Sequence, residues 1–310
     1  MTLPTPDQPL RIGTRGSPLA VAQAEEVRSR LMAAHDLTED AFEIQIIHTT
    51  GDNVQDRALS EIGGKGLFTK EIEEALYART IDIAVHSMKD MPTVLPDGLV
   101  IPCLLPREDV RDAFVSLKHE SIAALPEGTV VGSSSLRRRA QLLNRRPDLK
   151  LVEFRGNVQT RLRKLNEGVA EATFLAMAGL RRLGRDDLTK AAIAPEDMLP
   201  AVAQGAIGVE IRADDADTAD LLAAIHDAPT GRRLDAERAF LAGLDGSCQT
   251  PIAGLAELNG DQIWFRGEIV RPDGSENHTT ERRGPAADAA AMGADAAAEL
   301  RGRAGEGFFA

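Results

Sequence analysis

The residues best equipped for chemistry gather at a few loops. The first loop is His86-Ser87-Met88-Lys89-Asp90-Met91-Pro92, which follows an apolar run, Ile81 to Val85, with the character of a buried strand. Pro92 biases Met91 away from helix, so Lys89 and Asp90 fall on a rigid turn at the strand's end. A neighbouring cation keeps a carboxylate ionised while a proton is handled, which makes the pair an acid/base site or else a charged surface turn. His86 reads as a structural histidine. A second set of loops is basic. In Thr14-Arg15-Gly16-Ser17-Pro18, Ser17 suits a helix N-cap and Pro18 the first helical position, and Arg15 is what that local explanation leaves over. Gly132-Ser133-Ser134-Ser135 opens another helix and is followed at once by Arg137, Arg138 and Arg139. Cations there oppose the helix dipole by about 0.3 to 1 kcal/mol each, so they call for a bound anion. Arg155-Gly156-Asn157 repeats the arrangement, with Asn157 as N-cap and Arg161 in the first turns. Two anion-ready edges then face one cleft, where open α/β sheets bind ligands. The alternative for any single arginine is a solvated surface residue.

Cysteine and glycine add less. Cys248 lies in Asp245-Gly246-Ser247-Cys248-Gln249-Thr250, whose small polar neighbours leave the thiol accessible. No histidine stands nearby to act as its base, so it is either idle or suited to permanent attachment of a group. Cys103, flanked by apolar residues, reads as an inert core thiol. Gly63-Gly64-Lys65-Gly66 lacks the Ser or Thr of a phosphate loop and reads as a flexible, lid-like segment. With no Gly-x-Gly-x-x-Gly, no His-Glu-x-x-His and no His/carboxylate cluster, neither a metal nor a nucleotide cofactor is expected.

These loops need elements to hold them. The chain has 310 residues, enough for two domains or three small ones, with 43% hydrophobic and 27% charged residues. No apolar run approaches the roughly 20 residues of a membrane span, and nothing at the N-terminus marks secretion, so a cytoplasmic protein is expected. The net charge of −12 disfavours nucleic acid. Yet residues 137–185 hold eleven Arg and two Lys against four acids. Arg outnumbers Lys 29 to 7, and its planar fork favours a defined carboxylate or phosphate.

Strand-like runs alternate with helical ones through the first two thirds, the pattern of an α/β architecture with mainly parallel sheets. Strands are expected at 10–14, 42–48, 81–85, 112–116, 129–132, 149–154, 172–175 and 206–211. Helices are expected at 18–34, 67–79, 136–145, 158–166 and 216–226. The proline-rich stretches 92–106 and 195–200 read as extended connectors bracketing an inserted domain. Residues after Pro229 read as a small α+β domain: a helix at 232–244, three strands at 252–259, 262–270 and 277–283, and an Ala-rich helix at 286–301.

Taken in order, Arg15/Ser17, Gly64-Lys65-Gly66-Leu67-Phe68, Val85-His86-Ser87-Met88-Lys89-Asp90, Gly132-Ser133-Ser134-Ser135-Leu136-Arg137-Arg138, Arg155-Gly156-Asn157-Val158-Gln159-Thr160-Arg161, Ala178-Gly179-Leu180-Arg181-Arg182-Leu183-Gly184 and the Cys248 loop resemble the porphobilinogen deaminase family. The resemblance runs from about residue 10 to 300. It implies an α/β fold of three domains: 1–105 with 200–225, 106–199, and 226–310. The first two would form a two-lobed pair like a periplasmic binding protein, and the third would carry a three-stranded antiparallel sheet. It implies a transferase that deaminates four porphobilinogen molecules and joins them head to tail on a dipyrromethane cofactor, releasing hydroxymethylbilane for heme biosynthesis. Cys248 would hold that cofactor through a thioether. Asp90 would be the central catalytic group, hydrogen-bonding pyrrole N–H groups and offsetting developing positive charge.

Lys89, Asp90, Ser133, Ser135, Arg137, Arg138, Arg155 and Asn157 would lie on the cofactor side, and Arg15, Ser17, Phe68, Arg155, Arg161, Arg182 and Gln204 on the substrate side. Six rings bring twelve carboxylates to the site, and charge-assisted bonds contribute about 1.5 to 3 kcal/mol each, which gives the arginines a purpose. A monomer without nucleic-acid or membrane partners is implied, its product passed to uroporphyrinogen-III synthase. Three positions depart from the family pattern: Glu61 stands for a usual Lys, Ser247 for a Gly and Ser133 for a Thr. Two other classes fit parts of the sequence. A binding protein for a polycarboxylate would leave Cys248 and the Lys89-Asp90 loop unexplained. A nucleic-acid binder using residues 137–185 conflicts with the overall acidity.

Overall fold

The computed structural model describes residues 3–53, 68–185, 187, 188, 192–247 and 250–309. Contacts divide the chain into two compact units. The first gathers the described parts of Met1–Asp56, Gly63–Glu108 and Ala206–Gly231, and the second those of Asp109–Gly205 and Arg232–Ala310.

In the first unit five strands form one sheet: β1 (Leu10–Arg15), β2 (Phe42–Ile47), β3 (Ile83–Ser87), β4 (Leu99–Leu104) and β9 (Ile207–Arg212), in the order β2-β1-β3-β9-β4. β1 runs parallel to β2 and β3. β9 runs antiparallel to both β3 and β4, so this sheet is mixed where the sequence pattern leads one to expect parallel pairing. The reason is the route: β9 returns from a long excursion through the second unit and not from a helical crossover, and only the crossover enforces parallel strands. β4 lies within the stretch read from its prolines as a connector. Pro102 is accommodated because β4 pairs only on its β9 side and its register shifts between Val100 and Cys103.

Helix α1 (Pro18–His35) buries Ala20, Ala24, Val27 and Leu31 at helical spacing, and the last three share a core with Ile12, Val85, Ile207 and Val209. α2 (Lys70–Tyr77) buries Ile72 and Leu76 beside Ile81 and Ala84. α6 (Ala216–Ala223) contributes Leu221 and Leu222 to the larger core.

The second unit holds two sheets. β5 (Asp112–Ser116), β6 (Val130–Gly132), β7 (Lys150–Val152) and β8 (Ala172–Ala176) are ordered β5-β8-β6-β7, with β6 parallel to β7 and β8 and only β5 reversed. α3 (Leu136–Arg145), α4 (Val158–Asn166) and α5 (Met177–Arg182) follow β6, β7 and β8 respectively. The expected antiparallel sheet is present as β10 (Ile252–Asn259), β11 (Gln262–Val270) and β12 (Asn277–Pro285). Two helices accompany that sheet: α7 (Ala228–Gly243), whose first residues belong to the first unit, and α8 (Ala289–Ala304). Phe240 of α7 packs on Phe265 of β11 with ring centroids 5.0 Å apart. No described helix is long and apolar enough to cross a membrane.

Candidate active site

In the first unit, parallel pairing of β1 with β3 sends Thr14–Ser17 and Ser87–Asp90 out of the same sheet edge. Ser17 caps α1, its Oγ accepting from Ala20 N at 3.2 Å, with Pro18 at the first helical turn. Arg15 carries its guanidinium 4.2 Å over the Phe68 ring, so these two expected site residues meet. Asp90 ends a tight turn, Met88–Asp90, and is half-buried. Among the described residues its carboxylate accepts no hydrogen bond and joins no ion pair, which is unusual for a carboxylate so placed.

The turn itself is held firmly. Met88 N donates to Ala206 O at 3.0 Å, and Met91 N to Met88 O at 3.3 Å. Gln23 Nε2 donates to Ser87 Oγ at 2.8 Å. His86 is buried with its Nε2 3.0 Å from Glu210 Oε2, the structural role expected of it. Sequence reasoning missed Gln23 and Glu210. The available signal was a polar residue interrupting an apolar face, on α1 in one case and in the run 206–211 in the other.

In the second unit the loops leaving β6, β7 and β8 emerge at one edge, since these strands are parallel. Ser135 caps α3 by accepting from Arg138 N at 3.5 Å, and Asn157 caps α4 by accepting from Thr160 N at 2.9 Å. Ser133 Oγ accepts from Ser135 N at 3.3 Å. Gly156 has φ +117°, and a Cβ there would lie 2.5 Å from Thr160 Cγ2, so only glycine can bring Arg155 and the capping Asn157 this close to the helix.

The anion that the start of α3 calls for is supplied by the protein. Arg137 Nη2 and Arg138 Nη2 each donate to Asp112 of β5, at 2.7 Å, one to each carboxylate oxygen. Arg137 Nη1 also donates to Gln141 Oε1 and Leu199 O, and Arg138 Nη1 to Phe174 O at 2.9 Å. Gln204 is buried and donates to Val110 O at 2.7 Å and Asp112 Oδ1 at 2.9 Å. Burial alone would push the Asp112 carboxyl up, but Arg137 and Arg138 beside it hold it well below the usual carboxylate range. What this network leaves over is one buried Nε of Arg137 and one of Arg138, neither with a hydrogen-bond partner. Gln141 carries the network on to Glu268 of β11 at 2.6 Å.

Arg161 is different. It donates to the backbone carbonyls of Gly156, at 2.9 Å, and Phe174, at 3.5 Å, and faces no carboxylate among the described residues. Burial, with Arg138 and Arg155 nearby, pushes its guanidinium down to about 10. Arg138, already paired with Asp112, and Arg155 lie near Arg161, and guanidinium groups gathered in this way are a donor set that the carboxylates of a dipyrromethane fit. Arg182 Nη2 donates to Gly205 O at 3.2 Å. Cys248, Glu61 and the glycine segment from Gly63 to Gly66 lie outside the described residues. On either side of Cys248, Ser247 N donates to Thr250 Oγ1 at 2.9 Å and Thr250 N returns to Ser247 O at 3.1 Å. Among the described residues no group of three or more His, Cys, Asp or Glu is placed to hold a metal ion.

Known proteins resemble this chain along nearly its whole length. Porphobilinogen deaminase of Paracoccus denitrificans is 71% identical over 307 residues, covering 99% of this chain and 98% of the relative. That of Nitrobacter hamburgensis is 58% identical over 96% of this chain and 94% of its own. The chloroplastic enzyme of Pisum sativum is 55% identical over 97% of this chain and 83% of its own. A solved nutrient binding protein from Burkholderia cenocepacia bound to methionine is similar at a TM-score of 0.42 and 17% identity, covering 69% of this chain and 90% of that one. The family model "Porphobilinogen deaminase, dipyromethane cofactor binding domain" matches residues 10–220, and "Porphobilinogen deaminase, C-terminal domain" matches residues 232–302. With both models matched in order and such identity over the full length, the chain belongs to the porphobilinogen deaminase family.

Proposed function

We infer that Asp90 is the group around which this chain's reaction turns. The family's reaction is the deamination and head-to-tail polymerisation of four porphobilinogen molecules on a covalently bound dipyrromethane, with release of hydroxymethylbilane into heme biosynthesis. The observation that carries the assignment is a half-buried carboxylate at the carboxyl end of β3 that no described residue engages. Such a carboxylate is ready to accept pyrrole N–H groups of porphobilinogen and to offset positive charge as ammonia departs, without first breaking a bond within the protein.

Cys248 is the proposed attachment point, through a thioether. When bound, the dipyrromethane supplies the free pyrrole α-carbon at which chain growth starts. Arg138, Arg155 and Arg161 are assigned to ring carboxylates. Arg137 and Gln204 act one step back, holding Asp112 and through it Arg138. Ser133, Ser135 and Asn157 set the two helix N-termini, and their side-chain oxygens serve that purpose first. Arg15 on Phe68, with Ser17 and Arg182, completes the substrate side. The domain division 1–105 with 200–225, 106–199 and 226–310 is retained; the family models, which part between residues 220 and 232, support its last boundary. The same reading makes the protein a monomer of the cytoplasm that hands its product to uroporphyrinogen-III synthase.

Intact mass of the purified protein beside its Cys248→Ser variant tests the reading directly. A two-ring adduct on the first alone is expected. A wild type still unmodified after incubation with porphobilinogen or hydroxymethylbilane would overturn it.

Arg161 gives a prediction of unusual sign. Its charged form is disfavoured in the folded state, so protonated Arg161 costs stability at every pH below about 10, a cost that fades only as pH rises through that value. In the cofactor-free Cys248→Ser background, Arg161→Gln is expected to raise the melting temperature by about 2 °C. In the intact enzyme the same change removes a charge-assisted contact, and KM for porphobilinogen should rise by about tenfold. A lower melting temperature with unchanged KM would assign Arg161 to packing.

A further inference from the structure

β9 passes beside β3 with Gly208 opposite His86. Its backbone is ordinary strand, so conformation does not demand glycine at this position. Space does. A Cβ on Gly208 would lie 2.1 Å from Met88 Sδ and 3.1 Å from both Met88 Cγ and Ile101 Cγ2. Met88 is 3% exposed, and its backbone N also docks on this strand's approach through Ala206 O, at 3.0 Å. Side chain and backbone of the residue that opens the turn are thus both seated against 206–208, two positions ahead of Asp90.

We propose that Gly208 is a positioning residue for Asp90: by lacking a side chain it forms the socket in which Met88 sits, and that socket fixes where the carboxylate points. Gly208 does not itself meet substrate. The inference rests on the reading of Asp90 given above.

In the holoenzyme, Gly208→Ala forces Met88 Sδ outward by more than 1 Å before ordinary contact is restored. Misplacement of about 1 Å costs on the order of 100-fold in rate, so kcat should fall by about 30- to 100-fold. KM for porphobilinogen should stay within about threefold and the mass adduct should remain, because the arginines are untouched. Met88→Ala placed on top of Gly208→Ala empties the contested space and should recover at least about tenfold of the lost kcat. Val209→Ala, a cavity in the same strand that does not touch the socket, should lower the melting temperature with kcat unchanged. Should Gly208→Ala fail to accumulate, Met88→Leu reads the same socket with a change that cores tolerate, and about a tenfold loss in kcat is expected.

Wild-type kcat in Gly208→Ala, or in Met88→Leu where that stands in, would overturn the inference if Asp90→Asn is inactive. So would a double variant no faster than the single, or a Val209→Ala variant that loses kcat as Gly208→Ala does. A fully active Asp90→Asn would instead remove the underlying reading of Asp90, and the inference with it.

Discussion

Asp90→Asn is expected to lower kcat by about 100- to 1,000-fold while the melting temperature stays within about 2 °C of wild type. The two halves of that expectation have one cause. The Asp90 carboxylate is half-buried yet engaged by no described residue, so its replacement by an isosteric amide breaks no hydrogen bond or ion pair that supports the fold. What is lost is a full negative charge at the place where positive charge develops, where preorganised electrostatics matter most. Turnover followed by porphobilinogen consumption, with circular-dichroism melts and intact mass on the same samples, separates the possibilities. Retained activity would end the catalytic assignment. A large fall in melting temperature would mark Asp90 as a structural acid.

Asp112→Asn should behave in the opposite way, unfolding before it informs on chemistry. Asp112 is wholly buried and, among the described residues, is the one carboxylate shared by Arg137 and Arg138. Removing one partner of a buried ion pair costs about 3–5 kcal/mol, because the remaining charges stay desolvated and uncompensated. Here two arginines are stranded together, and a fall of roughly 10 °C in melting temperature is expected. Acid should show the same bond. The folded carboxyl titrates well below its ordinary value of 3.8, so its stabilisation is complete above that value and fades as pH falls towards the folded one. Denaturant unfolding should therefore show a gap between wild type and variant that is constant from about pH 5 to 8 and narrows below about pH 4. A gap absent at neutral pH would mean that the two arginines find another anion.

The contrast between Asp90 and Asp112 also shows what the sequence could and could not reveal. Local rules worked wherever the physics is local. Ser17, Ser135 and Asn157 cap their helices because a short side-chain oxygen ahead of a helical run has an orphan N–H within reach. The strands β1, β2, β5 and β8 were legible as apolar runs between turns. β4 was hidden because Pro102 counts against a strand, and only the sheet order shows an irregular edge that tolerates it. Asp112 begins a strand 25 positions before Arg137, with nothing local to say that it, and not a ligand, answers those cations. Gly208 looks like any strand glycine until Met88 is seen on top of it. The motifs place Asp90 and Arg161 correctly at strand and helix ends, but which donors are already spent is a property of three-dimensional neighbours alone.

The position of β9 bears on how the molecule is made. β9 bridges β3 and β4, yet it is translated only after all of residues 109–205. At about 5–20 residues per second, roughly 6–25 s separate the emergence of β3 from that of its second neighbour. During that interval the nascent chain carries an apolar strand open on one side and, once made, β4 with no partner at all, and by its end every strand of the β5-β8-β6-β7 sheet has been made. The order of completion therefore runs against the order of synthesis. The sheet that bears Asp90 closes after the one inserted into it, and the ribosome, more than the final stability, sets the period in which this chain is most exposed to aggregation.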